Sequence, residues 1–188
     1  MPRSSSVFPN HHAVKFYPND ASLFTTVGGF LGQGLAGGQP ALVIATEPHA
    51  EGIFDELRRR AVDVDGAVER GQLMVVDARV TLDRFMVDGS PDSVKFEDSV
   101  GRLIGGSVDS FPAPTLVRAY GEMVDLLWKD RLHDAAIRIE ILWNKLASVH
   151  GFALLCGYAM GNFSKQTQLF EQVCRQHSHV HPPDPAVH

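Results

Sequence analysis

The sequence predicts an α/β fold, a three-layer α/β/α domain around a mostly parallel central sheet of about five or more strands. Three observations carry that expectation. Short runs rich in β-branched and aliphatic residues alternate with longer segments of helical periodicity. Two of the runs, Leu42-Val43-Ile44 and Met74-Val75-Val76, are apolar throughout rather than alternating, as strands covered on both faces are. The order strand, helix, strand recurs along the chain, and such units close with right-handed crossovers that place helices on both faces.

Each element has a local reason. Residues 1–10 read as a loose leader, and a first strand spans Ala13–Tyr17. Behind Asp20 as N-cap, a first helix sets Leu23, Val27, Phe30, Leu31 and Leu35 on one stripe, and Gly37-Gly38 end it. A second strand, Ala41–Thr46, leads to a helix that opens at Pro48 and buries Ile53, Phe54 and Leu57. After a third strand, Leu73–Asp77, a helical pattern from Leu82 to Ser110 is broken by Gly89-Ser90-Pro91. The fourth strand is Thr115–Ala119. The helical stretch behind it, Met123–Val149, is interrupted near Lys129-Asp130-Arg131 and carries Leu132, Ala136, Ile139, Trp143 and Leu146 at three- and four-residue spacing. A fifth strand, Phe152–Tyr158, and a helix from Ser164 to Arg175 complete the domain, residues 11–176. From His177 onward the Pro and His content predicts a disordered tail, residues 177–188, whose His177, His179 and His181 lack the rigid frame a metal needs.

Composition narrows the class. A chain of 188 residues fits one domain, and a net charge of −5 argues against a broad nucleic-acid-binding face. Cys156 and Cys174 stand in no metal or redox spacing, which points to a reducing compartment, with Cys156 read as a small buried hydrophobe. Neither a secretory leader nor an apolar run of about 20 residues appears, so a cytoplasmic protein without membrane contact is expected.

In open parallel sheets ligands gather beyond the carboxyl ends of the strands. The residues expected there are Tyr17 and Asp20 after the first strand, Thr46 and His49 after the second, and Asp77 after the third. Arg118, Tyr120 and Glu122 follow the fourth, and Tyr158 the fifth. Arg118 reads as a clamp for an anion or polar group, with Glu122 orienting it; pairing with an internal carboxylate such as Asp77 is the structural reading. Asp77 suits a helix cap as well as a metal-coordinating role, and His49 suits either a capped surface position or an acid–base function. The string Gly32-Gln33-Gly34-Leu35-Ala36-Gly37 spells a dinucleotide fingerprint, but it stands at the end of a helix and before a strand, the reverse of what phosphate binding requires. The first strand–helix turn, Phe16-Tyr17-Pro18-Asn19-Asp20, holds no glycine or lysine for a phosphate loop. No nucleophile elbow or zinc-protease helix appears, so no catalytic residue, metal or cofactor is assigned.

Several strings in series resemble the MEDS family, the sensory domain of methanogen and methylotroph proteins and of the dichloromethane-responsive repressor. They are His12 with Phe16-Tyr17 and Asp20, Val43-Ile44-Ala45-Thr46 with His49, and Asp77-Ala78 with Thr81-Leu82 and Phe85-Met86. Arg118-Ala119-Tyr120-Gly121-Glu122-Met123-Val124 and Leu126-Leu127-Trp128 come next. Glu140 with Leu142-Trp143-Asn144, and Leu154-Leu155-Cys156 with Tyr158, complete a set covering about residues 11–163. The resemblance implies a degenerate RecA/KaiC-like fold and the sensing of small organic signals.

The expected function is therefore a non-catalytic sensory module. It binds a small organic molecule at the carboxyl edge of the sheet and relays it to a partner regulator such as a histidine kinase. A second copy of the chain is an admissible partner, and direct DNA contact is not expected because only about ten residues precede the first strand here. Two other readings stand beside it: a degenerate ATP-binding regulator using Asp77, Arg118 and Glu122, and an acid–base enzyme using His49 with Glu122.

Overall fold

The computed structural model describes residues 11–112, 115–163 and 167–181, apart from the side chains of Val108 and Thr167. A six-stranded sheet is built from β1 (His11–Tyr17), β2 (Ala41–Ala45), β3 (Leu73–Asp77), β6 (Val117–Gly121), β7 (Phe152–Ala159) and β8 (His179–His181). Its order is β3-β2-β6-β7-β1-β8 and every pairing in it is parallel. The longest pair, β1 with β7, runs in register from His11 opposite Ala153 to Tyr17 opposite Ala159.

Helices cover both faces, giving the three layers. On one side lie α1 (Asp20–Ala36), α2 (Glu47–Arg59) and α3 (Val64–Glu69). Leu23, Val27, Leu31, Ile53 and Leu57 pack there on Ala13, Val43, Tyr120 and Leu155. On the other side are α4 (Ala78–Phe85), α5 (Ser93–Phe96), a π turn at Glu97–Gly101, α6 (Arg102–Asp109), α7 (Met123–Lys129), α8 (His133–Ala147) and α9 (Thr167–Arg175). Phe85, Phe96, Ile104, Ile139 and Trp143 press on Val14, Phe16, Leu42, Ala119 and Tyr158. Since β2 and β6 are neighbours whose following helices leave toward opposite faces, as are β7 and β1, the carboxyl edge opens at two places.

The differences from expectation have local causes. Asn19, not Asp20, caps α1: its side chain accepts from the Ser22 N–H. The break at residues 89–91 is a tight hairpin joining β4 (Met86–Val87) to β5 (Ser90–Pro91), with Asp88 and Gly89 both at positive φ, 49° and 76°. That pair of left-handed residues is what a two-residue hairpin loop demands. Leu132 stands at the cap of α8, 38% exposed, instead of inside a continuous helix. The fourth strand begins at Val117 and runs on to Gly121, two residues past its expected end.

The expected disordered tail is wrong for residues 177–181. His177 Nδ1 donates to the Val173 carbonyl, Ser178 N donates to the His12 carbonyl, and β8 adds to the sheet edge beside β1. Long-range strand pairing there outweighs local composition. The expected leader, residues 1–10, and the rest of the tail, residues 182–188, lie outside the described residues, as does Ser164 at the expected start of the last helix.

Candidate functional site

The carboxyl edge brings together five of the expected residues: Asp20, Thr46, His49 and Glu122 are joined to one another, and Tyr17 is held by a neighbouring carboxylate. At the β2–β6 junction, Glu122 is buried and accepts from Thr46 N at 2.7 Å and from Thr46 Oγ1 at 3.2 and 3.1 Å. Thr46 is also the N-cap of α2, so the turn that starts the helix aims its donors at this carboxylate. His49 Nδ1 lies 2.9 Å from Glu122 Oε1, and its Nε2 lies 3.5 Å from Asp20 Oδ1. Contact with Glu122 raises the His49 pKa against the opposing effect of burial. Burial works to raise the Glu122 pKa, but His49 and the two Thr46 donors together hold it below the ordinary carboxylate value.

A second buried carboxylate, Asp125 on α7, closes the β7–β1 junction. It accepts from Tyr17 OH at 3.0 Å, Ala159 N at 2.9 Å and Asn162 Nδ2 at 2.9 Å, and Lys129 Nζ lies 2.8 Å away. Burial, with Asp125 beside it, pushes the Tyr17 phenol up, so the hydroxyl stays a donor. Sequence reasoning missed Asp125, although an acid two residues into a helix behind an apolar strand stood in plain view.

The other expected residues lie elsewhere. Asp77 caps α4, accepting from Val80 N, and makes no pair with Arg118. Tyr120 is fully buried beneath α1, close to Gly157, and its hydroxyl has no hydrogen-bond partner among the described residues. Tyr158 points to the opposite layer, where its hydroxyl donates to Glu140. Arg118 is not on the carboxyl rim at all. As the second residue of β6 it sits at the amino end of the strand, where its own N–H donates to the Pro40 carbonyl.

At that amino end is a cavity of about 530 Å³ between the second half of α1 and the sheet. Thr26, Phe30 and Gln33 of α1 form one wall, Leu116, Ala153 and Leu155 the other, and Arg118, His11 and His181 supply nitrogen. Arg118 Nε donates to Gln39 Oε1 at 2.9 Å, and Nη1 donates to the Phe30 carbonyl at 2.9 Å and Gln33 Oε1 at 3.3 Å. All three acceptors are neutral, and Nη2 makes no hydrogen bond among the described residues. Burial lowers the Arg118 pKa, but a guanidinium stays charged through the physiological range. Gly34 permits this approach: a Cβ there would stand 2.5 Å from Arg118 Cδ. Burial, helped by neighbouring histidines, lowers the pKa of His11, and burial with Lys15 and His179 lowers that of His181.

A third polar group lies inside the opposite layer, where His12, Glu140, Cys156 and His177 bring one donor atom each within 4.8 Å of the others. It is the one such group of three or more metal-binding side chains among the described residues. Cys156 was expected to be a plain buried hydrophobe; it is buried, but against polar partners.

The family model for the MEthanogen/methylotroph, DcmR Sensory domain matches residues 11–178. The chain belongs to the MEDS family. The match ends beyond α9 and so takes in His177, in keeping with its place inside the fold. No curated protein matches the sequence significantly. Among solved structures, the chain is similar to an uncharacterised protein of Pyrococcus horikoshii crystallised in complex with an unknown peptide. The TM-score is 0.59 at 15% identity, covering 92% of this chain and 77% of that one. At that identity the likeness speaks to fold. No helix among the described residues is long and apolar enough to cross a membrane.

Proposed function

We propose that this MEDS domain senses a small organic molecule bearing a negatively charged group, held in the cavity beneath α1 with Arg118 as its anchor. The observation that carries the reading is a partly buried cation with no carboxylate partner among the described residues, facing a largely apolar space of about 530 Å³. Pockets for small ligands are typically about 300–1,000 Å³, largely apolar, with a few placed polar groups. A guanidinium with two free N–H groups matches a carboxylate or related oxyanion, while Phe30, Leu116 and Leu155 suit a short carbon skeleton. The carboxyl rim, by contrast, has spent its donors and acceptors on itself. This reading moves the ligand site from the carboxyl to the amino end of the strands.

In this reading the domain is non-catalytic, a degenerate RecA/KaiC-type scaffold without the phosphate loop, and it acts on a partner regulator such as a histidine kinase. A ligand wedged between α1 and the sheet would shift α1, whose first turn carries Asp20 to His49 on α2. That gives a route from the cavity to the outer surface of the α1–α2 layer.

The test is a thermal-shift and calorimetric screen of the full chain against short-chain carboxylates, uncharged halogenated and hydroxylated hydrocarbons, and nucleotides with and without magnesium. A ligand that binds the native state raises the melting temperature by mass action. Carboxylates are expected to bind, Arg118→Gln to weaken binding at least about tenfold, and Thr26→Phe, which fills the cavity, to do the same with the guanidinium intact. Equal binding by both variants would refute the site, and a nucleotide as the single binder would favour an ATP-binding regulator. The acid–base reading draws on the 2.9 Å approach of His49 to Glu122; a turnover that disappears in His49→Gln would support it.

A further inference from the structure

The buried cluster of His12, Glu140, Cys156 and His177 belongs to neither the rim nor the cavity, and we propose that it is a zinc site. The side chains come from four places: β1, α8, β7 and the residues just after α9. Their donor atoms all lie within 4.8 Å of one another, close enough to converge on one ion after small side-chain adjustments. His12 Nε2 lies 3.1 Å from Glu140 Oε2 and 3.4 Å from Cys156 Sγ, and Cys156 Sγ lies 3.4 Å from Glu140 Oε2. His177 Nε2 lies 3.3 Å from Glu140 Oε1. Zinc bonds of about 2.0–2.3 Å in tetrahedral array put neighbouring ligand atoms roughly 3.3–3.6 Å apart.

The outer contacts argue the same way. His12 Nδ1 sits 2.9 Å from Asn144 Oδ1, and His177 Nδ1 sits 2.7 Å from the Val173 carbonyl. Both of those oxygens can only accept, so each Nδ1 carries a proton and each Nε2 is the ring atom turned to the centre. That arrangement fixes tautomer and ring orientation in metal-binding histidines. The Nε2 of His177 is wholly buried, and its one polar neighbour among the described residues is the Glu140 carboxylate at the same centre. Tyr158 OH donates to Glu140 Oε1 at 2.8 Å, steadying the carboxylate as an outer ligand would.

Charge and donor type choose the ion. One thiolate and one carboxylate balance a divalent cation, leaving a neutral centre in a dry layer where net charge would be costly. Sulfur with imidazole favours zinc over magnesium or calcium, and four protein ligands with no exposed position describe a closed, structural site. On binding, the Cys156 thiol gives up its proton to solvent and the ion gains one bond to sulfur, two to nitrogen and one to oxygen. The centre would then tie the chain end after α9 to the middle of the sheet.

Cobalt titration of the full-length protein, stripped with chelator, tests this. One cobalt per chain is expected, with the visible bands of a tetrahedral centre and a thiolate-to-cobalt charge-transfer band, both bleached by one equivalent of zinc. Cys156→Ser should lose the charge-transfer band and His177→Gln should weaken binding strongly. Asn144→Ala, which leaves all four ligands in place, should weaken it roughly 10–100-fold. If the ligand variants do not fold, the wild-type titration and Asn144→Ala decide. Absence of stoichiometric cobalt or zinc in the wild type overturns the proposal. So does cobalt bound without a thiolate band and lost when His179 and His181 are replaced, since the ion would then sit on the exposed edge strand.

Discussion

The two edges of the sheet carry the same kinds of side chain and do opposite things with them. At the carboxyl edge, Glu122 and Asp125 are buried anions whose oxygens are filled by Thr46, His49, Tyr17, Ala159 and Asn162. At the amino edge, Arg118 is a partly buried cation held by neutral oxygens beside empty volume. The difference teaches that convergence of polar residues does not make a recognition site. What makes one is a charged group whose bonding capacity the protein leaves incomplete, next to a space that can accept a ligand.

Perturbing each edge should separate stability from recognition. The largest effect is expected from Asp125→Ala, which strands Tyr17, Ala159 N and Lys129 around a lost buried anion. Removing one partner from a buried ionic cluster costs about 3–5 kcal/mol, read as a lower midpoint in urea denaturation. Ligand affinity should change little. Arg118→Gln should behave in reverse, with affinity for a short-chain carboxylate falling at least about tenfold, since hydrogen bonds to a charged group contribute about 1.5–3 kcal/mol. If Asp125→Ala abolished binding in a folded protein while Arg118→Gln did not, the contrast between the edges would be inverted.

Gly34→Ala sharpens it further. Alanine favours a helix interior by about 1 kcal/mol over glycine, but the new Cβ would meet Arg118 2.5 Å from its Cδ. The guanidinium must shift, so ligand affinity should fall by severalfold with a small net change in melting temperature.

The smallest effect is in the pH profile of the rim. His49 has its pKa raised above its ordinary 6.5, so its contribution to stability is full below that value and is lost as pH rises through the native pKa. Glu122 has its pKa lowered from 4.5, so its contribution is present above that value and is lost as pH falls through the native one. Melting temperature should therefore be highest between roughly pH 4.5 and 6.5 as far as this pair decides it, and His49→Gln should flatten the decline on the alkaline side. A profile in His49→Gln that matches wild type would remove the pair from the account.

How much of this was legible in the sequence depended on the range of the signal. Continuously apolar Leu42-Val43-Ile44 and the Leu23 stripe announced buried strands and a covering helix, and the three layers followed. Placing the end of the fourth strand at Ala119 instead of Gly121 set Arg118 at the strand exit. In the fold it enters the strand four residues before Glu122, roughly 13 Å away at about 3.3 Å per residue. A two-residue boundary error thus exchanged one edge for the other. The Asp88-Gly89 turn was readable and was passed over in favour of the proline beside it. His177 was not readable in the same way. Its partner Glu140 is near neither His12 nor Cys156 in sequence, and composition at a chain end says nothing of a parallel strand formed with residues far upstream. Metal sites are legible when ligand spacing is local, and this cluster is assembled by topology alone.

The most direct measurement is a two-dimensional NMR titration of the labelled protein with a short-chain carboxylate. The account predicts shifts concentrated at the Arg118 Nε–H and at the amides of Phe30, Gln33 and Leu155, with Thr46, His49 and Glu122 moving little. Shifts confined to Thr46, His49 and Glu122, with Arg118 silent, would contradict it.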